Sequence, residues 1–119
     1  RWRNSTLLSR NVVQGISDKT GVPVTGASAF TDRGRAVAPG VFTRNLGLNR
    51  LITETRGLSY VEALFYNNAE EFRNLTNESE TSTVEGFQFT HSRRVDQVAD
   101  GVVQGILQTL NLNSTQAKN

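Results

Sequence analysis

Apolar positions recur at three- and four-residue spacing near both ends of this chain and crowd together in its middle. Leu7, Leu8, Val12, Val13 and Ile16 follow the period of one helical face. Asn4 or Ser5 precedes them and can accept from the free amides of a first turn. A helix over about residues 5–17 is predicted, with Gly15 weakening its end. The second set is wider. Val95, Val98, Ala99, Val102, Val103, Ile106, Leu107 and Leu110 form one apolar stripe, while Arg94, Asp96, Gln97, Asp100 and Gln104 lie mainly elsewhere on the cylinder. This predicts a helix over about 91–110 that packs against a sheet or other helices, followed by a polar tail that frays.

Between these sets the pattern changes. Residues 20–47 contain Gly21, Pro23, Gly26, Gly34, Pro39, Gly40 and Gly47, too punctuated for a long element. They are expected to form a long loop of the kind that serves as a functional segment or flap. Residues 48–53 and 59–66 read as two short strands, the second almost continuously apolar, as in a strand covered on both faces. Asn68 can cap a short helix over 69–75, where Glu70 and Glu71 suit the positive helix end. The stretch from Asn74 to Gly86 is polar, so residues 76–90 are expected to form an exposed loop. This order predicts an α/β fold with a largely parallel sheet flanked by helices. Two strands make a small sheet, so either the long loop adds strands or the rest of the sheet lies upstream.

Composition narrows this picture. With 119 residues, 36% of them hydrophobic and 20% charged, residues 1–119 are expected to be one domain or the C-terminal half of one. The chain opens Arg1-Trp2-Arg3 and contains no Met, which leads us to expect further sequence before it. It lacks Cys, which excludes disulfides and thiolate metal sites. No apolar run reaches the roughly 18 residues of a membrane span. Net charge is +2, and only Arg93-Arg94 places two Arg side by side, so no nucleic acid partner is expected. The Asn-x-Ser/Thr triplets at Asn4, Asn74, Asn77 and Asn113 arise readily by chance in a chain this rich in Asn and Thr.

One residue breaks the central apolar run. Glu62 lies within Tyr60-Val61-Glu62-Ala63-Leu64-Phe65-Tyr66, and a carboxylate in such a strand requires either a partner or a chemical role. The structural alternative pairs it with Arg50 or Arg56. His91, the single histidine, is expected to be a surface or capping residue at the start of the last helix, and no role is assigned to it. Phe65, Tyr60 and Phe72 are read as core, and Asn67 and Asn68 as turn and cap.

The run from Gly57 to Asn68 followed by Glu70-Glu71 resembles the closing motif of zinc-dependent N-acetylmuramoyl-L-alanine amidases of the Amidase_3 type. Val95 to Ile106 is similar to that family's last helix, Ser5 to Ile16 to the helix before its variable loop, and Leu46 to Leu51 to the strand leading to the Glu motif. The resemblance covers most of this chain but only the C-terminal half of the family domain. It departs from the family at Gly57-Leu58 and at Ala63-Leu64, where a Pro or Gly approach and a Gly are usual.

The resemblance implies a peptidoglycan hydrolase in which Glu62 acts as general acid/base beside a zinc-bound water, cleaving the amide between N-acetylmuramic acid and L-alanine. It implies zinc as cofactor, with ligands of two His and a Glu in the upstream half of the domain and none assignable here. Peptidoglycan and that upstream half are the implied partners, and an extracytoplasmic location follows. The alternative is a non-catalytic α/β domain derived from the same fold, serving in cell-wall binding or as a component of an assembled particle.

Overall fold

The computed structural model describes residues 2–26, 34–43 and 57–117. Three helices and two hairpins are present among them: α1 (Trp2–Thr20), β1 (Arg35–Ala38), β2 (Val41–Thr43), α2 (Ala69–Thr76), β3 (Glu80–Val84), β4 (Phe87–His91) and α3 (Arg93–Ala117). The strand pairs β1–β2 and β3–β4 are separate two-stranded antiparallel sheets. The expected largely parallel sheet is therefore corrected, since no strand described here has a parallel neighbour. Residues 59–66, expected as a strand, have no regular secondary structure up to Phe65 and enter a turn at Tyr66. A strand needs a neighbour to take its amides and carbonyls, and apolar sequence alone provides none. The strand expected at 48–53 lies outside the described residues.

The centre of the molecule is the antiparallel pair α1 and α3. Its seam is made from small residues. A methyl group placed on Gly101 would meet Ile16 Cα at 2.5 Å, and one on Gly105 would meet Val12 Cα at 2.5 Å. Gly15, in turn, faces the Gly101 carbonyl with no room for a side chain. Gly15 thus lies in the interior of a helix that runs on to Thr20, at the point where the two backbones cross, and does not end it. Val12 and Ile16 are buried there, and Asn11 Nδ2 donates to Thr109 Oγ1 at 2.9 Å further along the same seam.

This seam leaves much of the expected apolar stripe uncovered. Positions 101, 105 and 109 face α1, so Val95, Val103, Ile106, Leu107 and Leu110 are exposed. Polar ties complete the pairing. Asp18 accepts from Gln14 on its own helix at 2.8 Å and from Gln104 on α3 at 3.1 Å.

The hairpins interrupt both expected loops. The first turns at Pro39-Gly40, with Gly40 at φ 69°, and packs its tip against α1: a methyl on Gly40 would meet Val24 Cγ1 at 2.7 Å and Val13 Cγ1 at 3.1 Å. Val41 is buried beside it. The second turns at Glu85-Gly86, both with positive φ (48° and 85°), as a two-residue mirror-type turn requires. Among the described residues, no helix is long and apolar enough to cross a membrane.

Candidate functional site

Glu62 lies on an irregular segment held at both ends. Upstream, the Leu58 amide donates to Ser5 Oγ at 3.0 Å and Ser9 Oγ donates to Ser59 Oγ at 2.9 Å, fixing residues 58 and 59 along α1. Downstream, the Asn68 amide donates to the Phe65 carbonyl at 3.1 Å. The Asn68 side chain then accepts from the amides of Glu70 and Glu71 at 3.0 and 3.1 Å, which opens α2. Between these anchors Glu62 is exposed, as are Tyr60, Val61, Phe65 and Tyr66. The expectation of a carboxylate inside a covered strand is corrected: no sheet covers either side of this segment among the described residues. Tyr60, Phe65 and Phe72, read from sequence as core, are likewise exposed. Arg50 and Arg56, the suggested ion-pair partners of Glu62, lie outside the described residues.

A charged cluster fixes α2 to the helix pair. Arg94 Nη2 donates to Glu71 Oε1 at 2.9 Å, with the two side chains only 12% and 14% exposed. The same guanidinium donates from Nη1 to the Thr20 carbonyl at 2.8 Å and to Gln97 Oε1 at 2.9 Å. One side chain thereby joins the end of α1, the first turn of α2 and the first turn of α3. Sequence reading placed Glu71 only in relation to its own helix end and missed this cross-link, because its three partners are far apart in the chain.

His91 ends strand β4 and does not open the helix. The register pairs Glu80 with His91 and Ser82 with Phe89, so Ser82, Phe89 and His91 share one face of the hairpin. Ser82 Oγ lies 2.7 Å from His91 Nε2. His91 Nδ1 lies 3.3 Å from Asp96 Oδ1 on α3 and 3.3 Å from the Ser92 carbonyl. Ser92, nearly fully buried, accepts the Val95 amide with its hydroxyl and caps the start of α3. The signal that could have revealed this group was Glu85-Gly86 between two runs rich in Thr, Val and Phe, a hairpin pattern.

The zinc implied by the resemblance has its ligands in the upstream half of the family domain, and no residue of this chain is assigned to it. Among the described residues no group of three or more His, Asp or Glu side chains is placed to hold a metal ion, and His91 is already committed to Ser82 and Asp96. A shallow groove of about 680 Å³ runs along α3 beside Lys19, Asp100, Val103 and Leu107, and Glu62 is not among its lining residues. Comparison with known proteins adds no relative: no family model matches, and neither does any curated protein or solved structure.

Proposed function

We propose that this chain contributes the proton-transfer carboxylate of a peptidoglycan amidase acting on the bond between N-acetylmuramic acid and L-alanine. The observation that supports it is Glu62 at an exposed position on a segment tied to α1 at Ser5 and Ser9 and to α2 at Asn68. In this reading Glu62 takes a proton from the water that attacks the amide carbonyl and returns it to the nitrogen of the departing L-alanine. Tyr60 and Tyr66, exposed on the same segment, offer ring and hydroxyl surface to a polar substrate. Zinc belongs, in this proposal, to residues other than those described here, and peptidoglycan places the reaction outside the cytoplasm.

Purified peptidoglycan tests the proposal. Release of new L-alanine amino termini by the intact protein, lost on adding a chelator and lost in Glu62→Gln, is the expected result; undiminished release by Glu62→Gln removes the assignment.

A second reading, a non-catalytic module in wall binding or in an assembled particle, is favoured by a specific observation. Val103, Ile106, Leu107 and Leu110 are exposed at helical spacing along α3, and an apolar run of this kind marks an interaction surface. Cosedimentation with peptidoglycan sacculi without any bond cleavage is the outcome that selects it.

A further inference from the structure

We propose that Ser82, His91 and Asp96 form a nucleophilic acyl-transfer site that cleaves carboxylic esters, independent of the role given to Glu62. The argument begins with the histidine tautomer. Both neighbours of Nδ1, the Asp96 carboxylate and the Ser92 carbonyl, can only accept, so Nδ1 carries the proton. In the neutral ring Nε2 is then bare, and at 2.7 Å it accepts the Ser82 hydroxyl proton. That is the relation between a serine nucleophile and its general base, with the Ser92 carbonyl accepting from Nδ1 and the Asp96 carboxylate 3.3 Å from it as a counter-charge to the ring.

The His91 side chain is only 12% exposed and Asp96 is 50% exposed, while Ser82 is half-buried and lies on the same hairpin face as Phe89. Phe89 is 47% exposed, and its ring centroid lies 5.5 Å from that of His91. It offers an apolar surface beside the nucleophile, which points to a small hydrophobic acyl group.

In the first step Ser82 Oγ bonds to the ester carbonyl carbon while its proton passes to His91 Nε2. The carbon–oxygen bond to the alcohol then breaks, and the leaving oxygen takes that proton. Water next attacks the acyl-serine, giving one proton to His91 Nε2. His91 returns it to Ser82 Oγ as the carboxylic acid departs. No oxidant or metal enters the balance.

Fluorophosphonate labelling of the full chain, with the modified residue located by peptide mass spectrometry, tests the site. An adduct on Ser82 is expected, absent in Ser82→Ala and slowed at least about a hundredfold in His91→Gln, the scale of losing a general base. Asp96 acts as a positioning residue, so Asp96→Asn slows labelling and Asp96→Glu restores most of it. Circular dichroism of each variant establishes that it is folded. Absence of an adduct on Ser82 in the folded wild type, or undiminished labelling in a folded His91→Gln variant, overturns the proposal, as does failure of p-nitrophenyl acetate to give an acyl-serine at position 82.

Discussion

Gly101 and Asn68 show how much a single position can decide, and how differently it is read. At Asn68 the chemistry is local: a side-chain oxygen, two free amides and the following Glu pair are all within four residues, so the cap was legible in the chain. Replacing it with Ala should cost about 1 kcal/mol, measured as a lower urea midpoint. Gly101 reads in sequence as a weak helix former. In the folded protein its missing side chain allows Ile16 to approach its backbone. Gly101→Ala gains roughly 1 kcal/mol of helix propensity but forces the crossing apart, an overpacking cost of typically 1–3 kcal/mol. A net loss of stability on urea unfolding is expected, and a gain would contradict the close crossing.

Among the elements, the two long helices were the most legible because their apolar period extends over several turns, whereas hairpin β3–β4 was read as loop. Its strands are short and rich in Ser and Thr, with most positions exposed, so no strong alternation marks them. Only the turn carries a clear signal. Glu85 holds a φ of 48°, costly for a residue with a long side chain, and Glu85→Asn should raise stability by up to about 1 kcal/mol. The docking of α2 rests on Glu71 and Arg94, whose oxygen Oε2 and nitrogen Nε have no hydrogen-bond partner among the described residues. Arg94→Leu strands the Glu71 carboxylate in a largely buried position and should cost about 3–5 kcal/mol. Adding Glu71→Leu should recover much of that loss, a coupling measured by a double-mutant cycle.

Across the whole molecule, buried apolar side chains are few and exposed ones many. Val12, Ile16 and Val41 are the buried apolar residues among those described, while α3 presents Val103, Ile106, Leu107 and Leu110 to solvent at helical spacing. Leu107→Lys with Leu110→Lys should therefore lower binding of a hydrophobic dye and reduce self-association in sedimentation, with little change in melting temperature, because neither side chain contributes to the α1–α3 seam. A large loss of stability would mean that this face is internally packed.

Helix positions and the cap of α2 followed from spacing and side-chain chemistry within a few residues, which is why they could be read along the chain, although α3 runs on to Ala117 through the tail expected to fray. Pairing could not. Whether Ser59 to Tyr66 forms a strand depends on a neighbour with free backbone groups, and among the described residues it has none, so the apolar run remains irregular and Glu62 faces outward. Which face of α3 is covered was likewise decided by contact distance: the small side of the helix permits backbone approach, and the large apolar side is left at the surface. The same holds for Ser82, His91 and Asp96, which are brought together only when the hairpin register and the start of α3 are both in place.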